Sequence, residues 1–155
     1  MSLGDDLSIT SVQCDLRGSN TEQILKNLSW KISKDINMSA SAIFADIRKS
    51  EKRGDAGIGD GVAVLDWTSV ALEAPYVLVS RLETPLDMKT ADEKPVDLVL
   101  VLISPESQSL THLRHVARLT RMFREGDLLE HLRSVKNNDG MMAVLSSENE
   151  RFLAA

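Results

Sequence analysis

Apolar residues between positions 20 and 36 recur with a helical period. Ile24, Leu25, Leu28, Ile32 and Ile36 share one stripe, and Asn20 with Gln23 three residues on forms a capping pair, so a helix is predicted from about Thr21 to Ile36. Asn37-Met38-Ser39 interrupts it. Ser39 is placed to cap a second helix with Ala40, Ile43, Phe44 and Ile47 on its apolar face. Arg48, Lys49, Lys52 and Arg53 favour that helix's C-terminal dipole, and Gly54 stops it. A turn with glycines at 54, 57, 59 and 61 then runs into the apolar strand Val62–Leu65, which delivers Asp66 to its rim. Residues 76–82 and 96–103 read as two more strands. The second is nearly continuous in Val and Leu, as suits a central strand covered on both faces. Residues 7–16 alternate loosely and fit an edge strand or an extended lead-in.

The last third returns to the helical period. Leu110, Leu113, Val116, Ala117 and Thr120 form an inward stripe over about residues 108–124, closed by Gly126. Asp127 with Glu130 reads as a second capping pair, opening a helix through Leu128, Leu129, Leu132 and Val135. A final helix over 140–153 would turn Met141, Met142, Leu145 and Phe152 inward. The order predicts an α/β fold: a single three-layer domain with a mixed sheet of about four to five strands and helices on both faces.

Composition agrees with one domain. The chain has 155 residues, 43% apolar and 26% charged, enough for a core without staples. Residues 1–6 read as a disordered or cloning-derived lead-in. A net charge of −5 gives no general attraction to nucleic acid or anionic lipid. The single cysteine, Cys14, suits a reducing cytoplasm, and no apolar run approaches the roughly 20 residues that span a bilayer.

The glycine turn invites a nucleotide reading that its context refuses. It follows a helix and precedes a strand, opposite to a dinucleotide fingerprint, and it lacks Gly-Lys-Ser/Thr; no cofactor is implied. His112 and His115, with Cys14 or His131, could be grouped on paper around zinc. No ligand spacing supports that, and the histidines read as polar-face or rim residues. Asp66 invites comparison with receiver-domain phosphoacceptors, but the alternating βα order that would supply their acid cluster and lysine is missing. Arg114, Arg118 and Arg121 recur at i, i+4 and i+7 as a basic stripe, either a solvated face or a docking surface for an acidic partner. Trp67, directly after Asp66, is placed to cap that rim or to anchor a partner.

Four segments together carry a family resemblance: Ser50-Glu51-Lys52-Arg53-Gly54-Asp55-Ala56-Gly57-Ile58-Gly59-Asp60-Gly61, Arg81-Leu82-Glu83-Thr84-Pro85-Leu86, Lys94-Pro95-Val96-Asp97-Leu98, and Ser109-Leu110-Thr111-His112-Leu113. In this order the chain resembles the IIA domain of the phosphoenolpyruvate-dependent sugar phosphotransferase system, the mannitol/fructose and nitrogen-regulatory type. The resemblance implies a cytoplasmic domain that receives a phosphoryl group on a histidine from the carrier protein HPr or its nitrogen-branch counterpart. Such a domain passes the group to a transporter domain or uses its phosphorylation state to regulate target proteins.

The resemblance also implies a changed site. Where the family has Pro-His, this chain has Leu65-Asp66; the family's arginine ahead of the turn aligns with Ser50, and its Ser-Thr with Asp55-Ala56, beside Gly57 and Gly59. Nucleophile, cation and hydroxyl donor are replaced together, and an acid is added where an anion would sit. The second family histidine survives as His112, free to pair with Asp66. Two readings follow. The chain is a regulatory, protein-binding module, a pseudo-enzyme with vestiges of a phosphate site; or it is an active phosphotransferase accepting phosphate on His112 or Asp66.

Overall fold

The computed structural model describes residues 7–124 and 126–154, with side chains up to Glu148. The expectations for residues 1–6 and for the Phe152 side chain lie outside these described residues. Within them the chain forms β1 (Ser11–Leu16), α1 (Thr21–Asp35), α2 (Ala40–Lys52), β2 (Gly57–Gly59), β3 (Val62–Ser69), β4 (Tyr76–Leu86), β5 (Val96–Pro105), α3 (Ser109–Met122), α4 (Gly126–Ser134) and α5 (Asn138–Ala154). A single turn of 3₁₀-helix, Glu106–Gln108, leads into α3.

The five strands make one mixed sheet in the order β1-β4-β5-β3-β2. β1 lies parallel to β4 and β3 parallel to β5, while β4 and β5 are antiparallel. Alternation along β5 explains its apolar run. Leu98, Leu100 and Leu102 join the core under α3, α4 and α5, and Val99, Val101 and Ile103 join the core under α1 and α2. Each such buried side chain contributes about 1.5–3 kcal/mol, so the central strand anchors both layers.

The first two helices follow their caps. Asn20 Oδ1 accepts the Gln23 N–H at 2.9 Å, while Gln23 Oε1 reaches back one residue further than expected, to the Ser19 N–H at 2.8 Å. Ser39 Oγ accepts the Ala42 N–H at 3.2 Å, and Gly54 leaves α2 with φ +77°.

Three expectations need correction. β3 does not stop at Asp66: its parallel partner β5 continues to Pro105, so pairing holds through Ser69. On α3 the inward stripe is His112, His115, Leu119 and Met122, whereas Leu110 and Leu113 are 81% and 66% exposed. The spacing fits either stripe, and apolarity alone chose the leucines. His112 can be buried because hydrogen bonds meet both its nitrogens. α4 starts at Gly126, so Asp127 lies inside its first turn rather than capping it.

Candidate functional site

Strand alternation sets up the site. Val62 and Val64 face α3, α4 and α5, which turns Asp66 toward the same layer and so toward His112. From the opposite layer the end of α2 brings in Ser50 and Arg53, and β5 presents Ser104. Asp66 Oδ1 lies 2.9 Å from His112 Nε2, and Asp66 Oδ2 accepts from Arg53 Nη2 at 2.8 Å. The Asp66 backbone N–H donates to Ser50 Oγ at 3.0 Å, and Arg53 Nη2 is 3.4 Å from the same hydroxyl. Arg53 Nε also stands 3.5 Å from Asp55 Oδ1. Ser104 Oγ is 2.6 Å from His112 Nδ1.

Electrostatics keeps Asp66 ionised. Burial alone would raise the Asp66 pKa. The His112 hydrogen bond, the Arg53 charge and the contacts that follow from them outweigh it, so the carboxyl stays below its usual range. An ionised carboxylate only accepts, so His112 Nε2 carries the hydrogen toward Asp66. With neutral His112, Nδ1 then takes the Ser104 O–H.

Asp66, His112 and Ser104 therefore stand in the order of a hydrolytic triad, but Ser104 is fully buried. No substrate reaches its hydroxyl. In this tautomer both imidazole nitrogens are engaged by protein groups, Nε2 by Asp66 and Nδ1 by Ser104. Among the described residues no three His, Cys, Asp or Glu side chains gather as metal ligands.

The remaining candidates divide by position. Ser50 and Asp55 join the cluster, Ser50 directly and Asp55 through Arg53. Gly57 and Gly59 do not: they pair with Ala63 and Val62, three and four residues back along β3 from Asp66, or about 10–13 Å. Ala56 pairs with Val64 and is buried. The turn closes a β2–β3 hairpin rather than cradling the site. Trp67 packs, partly buried, against the α1–α2 core, on the sheet face opposite Asp66. Arg114 and Arg121 are exposed and Arg118 half-buried along α3. Sequence reasoning missed Ser104, whose signal was a hydroxyl closing an otherwise apolar strand. It also missed the exposure of Leu110 and Leu113 on the helix that carries His112.

Comparison with known proteins gives the same family. The family model described as phosphoenolpyruvate-dependent sugar phosphotransferase system, EIIA 2, matches residues 7–148. A nitrogen regulatory protein of Bradyrhizobium diazoefficiens is 31% identical over 131 residues, covering 84% of this chain and 86% of that relative. The crystal structure of nitrogen regulatory protein IIA-Ntr from Neisseria meningitidis superposes with a TM-score of 0.81 at 22% identity, covering 92% of this chain and 98% of that one. Enzyme IIAMTL from Escherichia coli, in its complex with phosphorylated enzyme IIBMTL, shares the fold with a TM-score of 0.71 at 13% identity, covering 92% and 98%.

Proposed function

Because the chain belongs to the EIIA 2 family of the phosphoenolpyruvate-dependent sugar phosphotransferase system, we propose that it is a nitrogen-regulatory-type regulator that acts by binding proteins and carries no phosphoryl group at Asp66, the position expected of the family's acceptor histidine. The observation that carries this reading is the closure of Asp66 by its own neighbours. One carboxylate oxygen is held by Arg53 and the other by His112. The cation that could receive a phosphate is thus already neutralised by a resident acid, with Asp55 beside it. An incoming phosphoryl group meets two carboxylates and an imidazole whose nitrogens are both engaged.

The same closure argues against Asp66 as a full imitation of the phosphorylated state. A carboxylate brings ~−1, where a phosphate brings about −1.5 to −2 and three acceptor oxygens. Here even that single charge is paired with Arg53. A signalling state fixed by Asp66 is therefore read through the rim's shape and its partner-facing side chains. Those include exposed Leu110 and Leu113, with Arg114 and Arg121, on the helix that carries His112. The fold relative IIAMTL is seen in complex with a protein, IIBMTL. We carry over only that this fold docks on proteins, here an HPr-type carrier or a regulated target, in the cytoplasm.

The test is intact mass after incubation with phosphoenolpyruvate, the first enzyme of the system and its HPr-type carrier. The native chain is expected to gain no phosphoryl mass. A gain that disappears in His112→Ala or Asp66→Asn overturns the reading and identifies the acceptor.

A further inference from the structure

A second surface, away from Asp66, combines aromatic rings with cations. On α1 the residues turned away from the core include Glu22, Lys26, Trp30 and Lys34, at successive i+4 positions, all exposed. Trp30 is 62% exposed. Lys34 Nζ lies 5.9 Å from its ring. On α2, Phe44 is half-buried, with Lys26 Nζ and the Arg48 guanidinium each 5.9 Å from its ring. Lys26 thus bridges the two helices, and the five side chains form one ridge.

These contacts stand near the limit of about 6 Å for a cation over a ring, so they orient the cations without consuming them. The ridge carries three positive charges against Glu22 alone, on a chain whose net charge is −5. An exposed indole with a lysine over its ring, one turn from a lysine that reaches a second ring, combines residue types enriched in protein-binding hot spots with matching charge. A single exposed apolar residue would need no explanation; this assembly joins an anchor to a matching charge.

We propose that the α1–α2 ridge is a docking site for a partner protein presenting an acidic surface around an apolar recess: the recess takes Trp30, and the carboxylates take Lys26, Lys34 and Arg48. A second copy docking by a two-fold axis is disfavoured, because it sets the same cations against each other. Nucleic acid is disfavoured as well. From Lys26 to Lys34 the ridge is about 12 Å long, Glu22 closes one end, and the chain as a whole is acidic. This surface is independent of the phosphoryl reading of Asp66 and stands or falls without it.

The experiment places p-benzoylphenylalanine at position 30 of the full chain in its native cells, with position 130, exposed on α4, as the control. The expected result is a protein adduct at position 30 that is absent at 130. The purified adduct protein should bind the chain with a Kd raised about tenfold or more by Trp30→Ala, and likewise by Lys26→Glu with Lys34→Glu. Charge reversal in the partner's contacting acids should restore binding to the Lys→Glu chain. These side chains are exposed, so an unchanged melting temperature certifies that each variant folds. The proposal is overturned by no adduct above the control, by an adduct that is only a second copy or nucleic acid, or by a partner indifferent to the substitutions.

Discussion

The parallel pair β3–β5 carries an arginine–aspartate contact at each end, and the two are built differently. At the start of the pair Arg133 grips Asp97 through Nε at 2.7 Å and Nη2 at 2.9 Å, and Nη2 also donates to the Asp60 carbonyl. A fork of this kind spends the acid on one partner and fixes α4 against the β2–β3 hairpin. Toward the far end Asp66 is shared between Arg53 of α2 and His112 of α3, with Ser50 holding its backbone. The first is a clamp. In the second, separate elements converge on one carboxylate, so a changed side chain there moves α2 and α3 side chains together. An acid on a strand is not by itself a functional sign; what distinguishes Asp66 is who shares it.

The clamp yields the largest expected effect. Gly61 has φ +84°, and a Cβ there would stand 2.8 Å from Arg133 Nη2, 2.9 Å from Asp97 Oδ1 and 3.2 Å from the Pro95 carbonyl. Gly61→Ala therefore combines left-handed strain with displacement of the fork, and should destabilise the protein by about 3 kcal/mol in urea unfolding. A loss under about 1 kcal/mol would mean that the clamp gives way freely, and the contrast between the two ends would collapse.

Next comes Asp66 itself, whose side chain is 17% exposed. Asp66→Ala leaves Arg53 and His112 without their shared acceptor and should cost about 2 kcal/mol at neutral pH. The pH dependence sharpens the assignment. The folded pKa of Asp66 is depressed, so its contribution is present above the unfolded carboxyl value of about 3.9 and is lost as pH falls through the folded value. Asp66→Asn should therefore flatten the acid limb of a stability–pH curve. It should not abolish that limb, because Asp35 is also depressed: burial opposes the shift, but the Tyr76 hydroxyl and Lys31 outweigh it. An acid limb unchanged in Asp66→Asn would show that the carboxylate is not held as the geometry describes.

The difference between the ends also explains what could be read in advance. The layers were legible because β5 must be apolar on both faces and because Asn20 and Ser39 announce their helices through local bonds. Asp66 and His112 could be paired from the resemblance. α3 was misread because two stripes share one period, and only tertiary partners decide that His112 and His115 go in while Leu110 and Leu113 stay out. The glycine turn misled for a related reason. Gly57 and Gly59 neighbour Asp66 in sequence, but an extended strand carries it about 10–13 Å away. Ser104 meets His112 on the helix that follows its strand, and Arg133 meets Asp97 36 residues back along the chain, contacts to which no helical or strand period points.

The smallest effect separates the ends most finely. In the Arg133–Asp97 fork the side chains are 36% and 22% exposed, so water and salt reach the fork. Arg133→Ala should cost only about 1 kcal/mol, and Arg133→Lys, which keeps the charge but loses the fork, roughly half of that. Raising the salt to about 1 M shortens the screening length to about 3 Å and should shrink the Arg133→Ala penalty. The Asp66→Ala penalty should shrink less: salt reaches Arg53, which is 46% exposed, but His112 meets Asp66 with both side chains largely buried, and that hydrogen bond is not screened away. Urea midpoints for the two variants at low and high salt test this directly. Equal salt sensitivity would place both acids in the same solvated class, and Asp66 would lose the feature that sets it apart from an ordinary surface pair.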